Sequence, residues 1–243
     1  MIDQWLKDHI NRATIELSSL CNYAPMHKKC YAHAASKSIL PRKIITNILT
    51  DMESIGFAGC VAFHCYNEPM IDPRLQSIIE QTKKTIPTGT IHIWTNAWYT
   101  SHDLLCELVE SGVSRFTLSA YTEAENERIR EMVKGVPCKI KICDLFTRGL
   151  DGRNTTWADG APRRYRRCYA PFNDLMHRAD GSIGLCCYDC QKTTVFGNLY
   201  DKTWHDIMHD NFEKMQRIFN NLSEGNRSAD CIPEVCRHCR RGR

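Results

Sequence analysis

The sequence predicts an α/β protein in which five or six β/α units form a partial barrel and a small cysteine-rich module, a β-hairpin plus a helix, follows them. Short β-rich apolar runs alternate with helical apolar spacing from residue 12 to about residue 146, which is typical of parallel βα units. Five or six units cannot close an eight-stranded barrel, so a lateral opening is expected. The composition then changes, and half of the 14 cysteines lie after the change.

The apolar runs predict strands at 13–20, 60–66, 90–96, 114–121 and 139–146. Helical spacing lies between them at 41–55, 73–86, 102–110 and 123–133. Two of these helices open with a proline, Pro41 and Pro73, which suits a first helical turn. Gly56 and Gly112 follow two helices and suit helix ends.

A domain boundary is predicted near residue 150. Residues 149–160 are rich in Gly, Asn, Thr and Asp, and a basic run follows at 163–167. The barrel is therefore assigned to residues 1–150 and the module to 151–243. The module contains a hairpin turning at Asp180-Gly181, a helix at about 203–220 and seven cysteines.

Composition limits the classes of function and the location. The formal net charge of +4, from 32 basic and 28 acidic residues, is too small to indicate a nucleic-acid partner, and its excess lies in the terminal arginines. No signal peptide and no run of about 18 apolar residues occurs, so a cytoplasmic protein without a membrane partner is expected. In a reducing compartment, many cysteines favour metal or redox sites over disulfides.

The first candidate site follows the first predicted strand directly, in the segment from Cys21 to His33. Side chains there lie at the carboxyl ends of the strands, where such folds place active sites. Taken alone, Cys21 and Cys30 with nearby histidines fit a zinc loop or unligated side chains equally well.

This segment resembles the cluster loop of the radical S-adenosylmethionine (SAM) superfamily, whose fold is a partial (β/α)5–6 TIM-like barrel. The superfamily spaces three cysteines as Cys-x3-Cys-x2-Cys; they bind a 4Fe-4S cluster whose fourth iron holds the amino acid end of SAM. This sequence departs from that spacing. Either Cys21-x5-His27-x2-Cys30 or Cys21-x8-Cys30-x2-His33 supplies three ligands, with imidazole replacing one thiolate, and Cys65 is a further candidate.

The end of the second strand carries a second resemblance. Asn67-Glu68-Pro69 is similar to the family's Gly-Gly-Glu-Pro segment, whose edge holds the cofactor's amino group. A carboxylate and exposed carbonyl groups are suitable partners for an ammonium group. The alternative is an ordinary turn from strand to loop.

Later strand ends add weaker matches in the same order. Asn96, in Thr-Asn-Ala, is similar to a Thr-Asn-Gly of the family, and Ser119 is similar to a serine near the cofactor ribose. The resemblance also implies that Arg148 contacts the cofactor carboxylate and that Tyr31 stacks on adenine. A loop arginine and a packing aromatic are the alternatives.

The C-terminal cysteines resemble the SPASM and twitch extensions of this superfamily, which hold auxiliary 4Fe-4S clusters. The candidate ligands are Cys168, Cys186, Cys187, Cys190, Cys231, Cys236 and Cys239. One cluster is predicted on Cys168, Cys236, Cys239 and either Cys186 or Cys187, with Cys190 and Cys231 as alternates or as ligands of a second cluster. A structural zinc knuckle is the alternative, since two cysteine pairs also satisfy Zn2+.

The resemblance implies a radical SAM enzyme with SAM, one SAM-binding cluster and at least one auxiliary cluster. It implies a 5'-deoxyadenosyl radical that abstracts hydrogen from a small natural product, sugar or peptide, for oxidation, epimerisation or crosslinking. Flavodoxin or ferredoxin is the expected reducing partner. Two alternatives stay open: transfer of a 3-amino-3-carboxypropyl group, and a non-enzymatic zinc-binding interaction module working through Cys236, Cys239 and the basic C-terminus.

Overall fold

The computed structural model of the protein describes residues 1–26, 37–145 and 167–239. Within these ranges eight strands form one open sheet in the order β5-β4-β3-β2-β1-β6-β7-β8. The strands are β1 (Arg12–Ile15), β2 (Cys60–Phe63), β3 (Thr90–Thr95), β4 (Arg115–Ala120), β5 (Lys139–Asp144), β6 (Asp174–His177), β7 (Ser182–Gly184) and β8 (Val195–Asn198). Strands β1 to β6 are parallel, whereas β7 and β8 are antiparallel additions. The predicted α/β fold with a partial barrel is confirmed.

Helices connect the parallel strands, as the sequence predicts. The described helices are α1 (Ile2–His9), α2 (Arg42–Ser54), α3 (Leu75–Thr85), α4 (His102–Glu110), α5 (Glu123–Met132), the short α6 (Ala170–Asn173), α7 (Trp204–Asp210), α8 (Phe212–Glu224) and α9 (Glu234–His238). α5 opens with a capping box. The Thr122 side chain accepts a hydrogen bond from the Glu125 backbone N–H, and the Glu125 side chain accepts one from the Thr122 backbone N–H.

The two faces of the sheet differ in chemistry because successive side chains of a strand point to opposite sides. In β3 and β4, one set of alternate positions belongs to the hydrophobic core: Ile91, Ile93, Phe116 and Leu118. The other set is polar or aromatic, and it pairs His92 with Thr117 and Trp94 with Ser119. The core therefore lies on the helix-covered face, and the opposite face offers hydrogen-bonding groups.

The first three strands end earlier than predicted. β1 ends at Ile15, β2 at Phe63 and β3 at Thr95. The residues that follow leave the strand pairing; the backbone N–H of Tyr66, for example, donates to the Glu16 carboxylate over 2.9 Å. These residues form the polar edge described below.

The helix predicted at 203–220 is two helices, α7 and α8, which meet at Asn211. The Asn211 side-chain amide donates to the carbonyl oxygens of Phe196 at 2.8 Å and Ile207 at 2.9 Å. An asparagine side chain that bonds nearby backbone competes with helix continuation, which explains the break.

An N-terminal helix that the sequence analysis did not predict, α1, packs against the C-terminal segment. Leu6 is fully buried, and the Trp5 ring makes edge contacts with Phe172, Phe212 and Phe219 at centroid distances of 6.2, 5.4 and 5.8 Å. Its eight residues carry too few apolar positions to stand out as a period.

The cysteine-rich segment continues the sheet of the barrel segment. β6 pairs in parallel with β1, and the Thr14 hydroxyl donates to Asp174 over 2.6 Å. The predicted boundary near residue 150 lies outside the described residues, so the division into 1–150 and 151–243 stays a prediction. No helix among the described residues is long and apolar enough to cross a membrane.

Candidate active site and thiol cluster

The carboxyl ends of the parallel strands meet at one edge, and Glu68 joins two of them. Its carboxylate accepts hydrogen bonds from the Thr95 hydroxyl at 2.5 Å, the Asn96 N–H at 2.6 Å and the Met70 N–H at 3.1 Å. The residue is only 2% exposed. Glu68 therefore uses its carboxylate within the protein, where it holds the loop after β2 against the end of β3. Pro69 begins the 3-10 turn that Glu68 caps.

The loop that carries Cys21 is attached to this edge on both sides of the cysteine. The Glu68 N–H donates to the Leu20 carbonyl at 2.8 Å. The Asn96 side-chain amide donates to the Asn22 side chain at 2.8 Å. The structure thus places half-buried Cys21 between two anchored neighbours at the strand edge, where the sequence predicts a metal ligand.

Tyr23 provides a further anchor that sequence reasoning missed. Its hydroxyl bonds Glu125, the capping residue of α5, and its ring lies 4.9 Å from that of Tyr121 between centroids. Burial, followed by the contact with Glu125, raises the pKa of Tyr23, so the hydroxyl keeps its proton as a donor. Only the capping-box pattern of α5 is visible in the sequence.

Asn67, at this edge, has a buried polar side chain that suits a bound ligand. It is 9% exposed, and neither its amide nitrogen nor its amide oxygen has a hydrogen-bond partner among the described residues. A buried amide without partners costs free energy, and a bound ligand with both a donor and an acceptor would remove that cost. The amino acid end of SAM has both groups.

Several predicted site residues cannot be placed. His27, Cys30, Tyr31, His33 and Arg148 all lie outside the described residues. The third ligand of a first cluster, the adenine contact and the carboxylate contact therefore stay predictions.

The polar face beneath the strand edge contains a group of rings and hydroxyls. His92 Nε2 lies 2.9 Å from the Thr117 hydroxyl, and the Trp94 indole N–H donates to Ser119 at 3.1 Å. His64, after β2, lies 5.3 Å from Trp94 between ring centroids. Burial, followed by the charges of Arg12 and Arg115, lowers the pKa of His92 to about 4, so its imidazole is neutral at pH 7. Its Nδ1 has no hydrogen-bond partner among the described residues.

In the C-terminal segment, the structure brings four predicted cysteine ligands together. Burial raises the pKa of Cys236 to about 12, and the nearby thiols of Cys168 and Cys239 raise it further. Burial likewise raises the pKa of Cys186, with Cys187 and Cys236 adding to the rise. Thiols that are buried side by side do not ionise unaided, and a bound cationic centre would stabilise their thiolates. The donor set therefore fits an iron-sulfur cluster.

The spacing of these thiols differs from that of a preformed zinc site. Tetrahedral zinc with Zn–S bonds of about 2.3 Å holds its sulfur atoms roughly 3.8 Å apart. Among the described residues, the three-ligand group whose atoms lie within 4.8 Å of one another contains no cysteine. Within the described residues, the thiols of this segment therefore do not form a preformed zinc site.

Arg227 is a buried residue of this thiol cluster that sequence reasoning missed. It is 5% exposed, and one guanidinium nitrogen donates to the Cys236 carbonyl at 2.6 Å and the Cys239 carbonyl at 3.3 Å. Its charge lowers the pKa of Cys168 and Cys236 against the effect of burial. Arg227 thus both holds the Cys236–Cys239 loop and favours thiolates there.

The remaining cysteines of the segment have other neighbours. The Cys187 carbonyl accepts from the Tyr66 hydroxyl after β2, and the charges of Cys65, Cys190 and Cys187 add to the burial that raises the pKa of Tyr66. The Cys231 thiol contacts α8, with its sulfur 3.5 Å from the Asn221 amide. Cys187 and Cys190 therefore face the end of β2, and Cys231 lies against α8.

Arg178, also missed, lies between the barrel strands and the Cys187–Cys190 loop. It is 1% exposed and donates to the Asp189 carbonyl at 2.5 Å, while its Nε and Nη1 have no hydrogen-bond partner in the described ranges. A Cβ atom at residue 184 would lie 2.8 Å from its guanidinium, so Gly184 leaves the space that Arg178 occupies.

Comparison with known proteins supports an iron-sulfur domain in the C-terminal segment. Residues 168–240 match the sequence model of the SPASM family, an iron-sulfur cluster-binding domain. An S-adenosyl-L-methionine-dependent 2-deoxy-scyllo-inosamine dehydrogenase of Niallia circulans is 24% identical over 240 residues, covering 93% of this chain and 90% of the relative.

Solved structures share the fold. The crystal structure of BtrN in complex with AdoMet and 2-DOIA superposes with a TM-score of 0.77 at 23% identity, covering 96% of this chain and 93% of BtrN. The structure of BtrN in an open conformation superposes with a TM-score of 0.70 at 21% identity, covering 96% of this chain and 92% of BtrN. A structure of anSMEcpe with bound AdoMet superposes with a TM-score of 0.60 at 11% identity, covering 93% of this chain and 90% of anSMEcpe.

These findings favour an enzyme over the zinc-binding interaction module, because the likeness extends along nearly the whole chain and is not confined to the cysteines. The match to the cluster-binding domain, the relative and the shared fold together make this chain a radical SAM enzyme with a SPASM-type extension, whose cofactors are 4Fe-4S clusters and SAM.

Proposed function

We propose that the chain dehydrogenates a small polyhydroxylated substrate of the aminocyclitol or sugar type, converting a secondary hydroxyl group to a ketone. The observation that carries this proposal is the polar face of β3 and β4, where His92 contacts the Thr117 hydroxyl and the Trp94 indole N–H donates to the Ser119 hydroxyl. Neutral groups of this kind suit a substrate with many hydroxyl groups. The likeness to an inosamine dehydrogenase supports the same substrate class.

The cofactors, when bound, supply a 5'-deoxyadenosyl radical that takes a hydrogen atom from carbon and an auxiliary cluster that accepts one electron. Oxidation of an alcohol removes one hydrogen atom, one proton and one electron, so the proton leaves to solvent along the polar face. The protein itself orients one carbon–hydrogen bond and excludes competing water.

Two kinds of residue serve SAM in this proposal. Asn67, whose amide lacks described partners, contacts the amino acid end. Glu68 and Asn96 act as positioning residues. The Glu68 carboxylate accepts hydrogen bonds from the Thr95 hydroxyl and the Asn96 N–H. The Asn96 side chain donates to Asn22 and accepts from the Trp98 N–H. Ser119 lies on the same face, where we place the ribose or the substrate.

Two cysteine groups hold the clusters. We assign Cys21, Cys30 and either His27 or His33 to the SAM-binding cluster. The auxiliary cluster is assigned to Cys168, Cys186, Cys236 and Cys239, because buried Cys236 lies close enough to each of the other three for their thiols to affect one another's pKa. We further propose flavodoxin or ferredoxin as the electron donor.

The test uses anaerobic enzyme loaded with iron and sulfide, reduced with dithionite and given SAM with 2-deoxy-scyllo-inosamine and related aminocyclitols and sugars. The expected products are 5'-deoxyadenosine and a ketone that has two hydrogen atoms fewer than the substrate. Substrate deuterated at the reacting carbon should pass one deuterium to 5'-deoxyadenosine, as mass spectrometry would show.

A matched control is Cys21→Ala, which should release no nucleoside. Methylthioadenosine in place of 5'-deoxyadenosine would contradict the proposal and support aminocarboxypropyl transfer. Release of 5'-deoxyadenosine without oxidation of any tested aminocyclitol or sugar would still show radical initiation, but it would contradict the proposed substrate class.

A further inference from the structure

Three metal-ligating side chains converge where α1 meets α7, outside the residues assigned to the active site. Asp3 Oδ1 lies 3.1 Å from His209 Nε2 and 3.5 Å from His205 Nε2. The two imidazole rings lie 4.0 Å apart between centroids, with an angle of 31° between their planes. All three ligand atoms lie within 4.8 Å of one another.

Packing of both helices fixes this arrangement. His205 and His209 are four residues apart on α7, so they lie on one helix face. α7 is anchored by fully buried Trp204, and α1 by fully buried Leu6. The ligands are therefore presented by two packed helices, which holds a site more firmly than a loop does.

The three side chains are also open to an ion from solvent. The exposed fractions are 51% for Asp3, 40% for His205 and 35% for His209. Both Nε2 atoms lie near the same oxygen of Asp3, so the three donor atoms form one compact group.

We propose that Asp3, His205 and His209 bind one divalent transition-metal ion of the zinc type, which links α1 to α7. In a tetrahedral zinc site with bonds of about 2.0–2.1 Å to nitrogen and oxygen, ligand atoms lie roughly 3.3 Å apart. The 3.1 and 3.5 Å separations match that value. Three protein ligands leave a fourth position for water.

The ligand types select the class of metal. Two imidazoles and one carboxylate suit zinc, nickel, cobalt or copper, whereas magnesium and calcium take oxygen ligands. The site has no sulfur ligand, so it is chemically distinct from the thiol cluster. Its ion stabilises the docking of the N-terminal helix, because a ligand that binds only the folded state shifts the unfolding equilibrium.

The test is made on the cluster-loaded enzyme under anaerobic conditions, freed of loosely bound metal and titrated with zinc chloride by calorimetry. One equivalent of zinc should bind, with nitrogen and oxygen neighbours that include imidazole in the zinc-edge X-ray absorption spectrum. Zinc should also raise the melting temperature.

Asp3→Asn and His209→Ala should each weaken zinc binding at least about tenfold, since loss of even an outer-shell partner commonly costs 10–100-fold. Both should also abolish the zinc-dependent rise in melting temperature. Asp8→Asn is the matched control, because it changes an exposed carboxylate of the same helix outside the group. Equal zinc affinity in the enzyme and in His209→Ala, or sulfur neighbours around the bound zinc, would overturn the proposal.

Discussion

The side-chain amide of Asn96 donates to the side chain of Asn22 over 2.8 Å, and this bond connects the end of β3 to the loop that carries Cys21. Glu68 supports the same connection, since its carboxylate accepts the Asn96 N–H and its own N–H holds the Leu20 carbonyl. The geometry of the site proposed for the first cluster therefore depends on residues that need not touch the cluster.

Replacing Asn96 by Ala should loosen this loop. The variant loses two side-chain hydrogen bonds, to Asn22 and from the Trp98 N–H, at about 0.5–1.5 kcal/mol each, so the fold should survive with a lower melting temperature. SAM cleavage should slow, because the cluster loop loses an anchor. Nucleoside release measured beside melting temperature checks this, with exposed Asn220→Ala on α8 as the control. An Asn96→Ala enzyme that cleaves SAM at the normal rate would contradict the positioning role.

Asn67→Ala should separate binding from stability. The Asn67 amide has no partner among the described residues, so its removal should leave the melting temperature unchanged or raise it. Affinity for SAM should fall about tenfold or more, the loss expected when hydrogen bonds worth about 1.5–3 kcal/mol to a charged group disappear. Equilibrium dialysis with labelled SAM measures it, and unchanged affinity would remove Asn67 from the site.

Cys236→Ser and Cys231→Ser should give opposite results. Cys236 lies among the clustered thiols, whereas the Cys231 sulfur contacts Asn221 of α8. Cys236→Ser should lower the iron content by up to one cluster while some SAM cleavage remains. Cys231→Ser should keep all iron. Iron and sulfide analysis with Mössbauer spectroscopy tests the pair, and iron loss on replacing Cys231 would revise the ligand set.

Arg227→Gln should make the reduction potential of the auxiliary cluster more negative. The Arg227 charge lowers the pKa of Cys168 and Cys236, and the same positive field stabilises the more negative, reduced cluster. Arg227→Lys keeps the charge, so its reduction potential should stay close to that of the unchanged enzyme. Potentiometric titration followed by electron paramagnetic resonance distinguishes this from a purely structural role, in which both variants would lose iron alike.

The local elements of this fold were predictable, and its long-range pairings were not. Helix α4 has the predicted bounds because its apolar spacing is contained within nine residues. The placement of β6 beside β1 brings together Thr14 and Asp174, which are 160 residues apart in sequence. No local pattern contains that pairing.

The candidate site divides in the same way. Asn67, Glu68 and Asn96 could be named from the sequence because they end recognisable strands and resemble family motifs, and their contact with the cofactor stays a prediction. Arg227 was not, since it lies nine residues from Cys236 and makes its bond only when that chain segment folds back. Arg178 likewise reads as an ordinary strand-end arginine until its burial beneath the Cys187–Cys190 loop is seen.

Buried His177 predicts a loss of stability in mild acid. Its Nε2 lies 2.9 Å from the Trp204 indole nitrogen, which only donates, so Nε2 is unprotonated and Nδ1–H donates to the Thr14 carbonyl at 3.1 Å. Burial lowers the pKa of His177 to about 4, against about 6.5 in an unfolded chain. Between these values the unfolded chain binds the proton first.

The free energy of unfolding should therefore fall as pH decreases from about 6.5 towards 4, by up to roughly 1.4 kcal/mol per pH unit for this histidine. His92, whose pKa is also lowered to about 4, should add a similar slope. Urea unfolding of the anaerobic protein at pH 7.5, 6.5 and 5.5 measures the total. His177→Gln should be less stable at pH 7.5 and should show a pH slope smaller by up to roughly 1.4 kcal/mol per pH unit, because one buried imidazole is gone. Burial raises the pKa of Glu16 and Asp174, and these carboxyls act in the opposite direction in both proteins. An undiminished slope in this variant would mean that other groups cause the acid sensitivity.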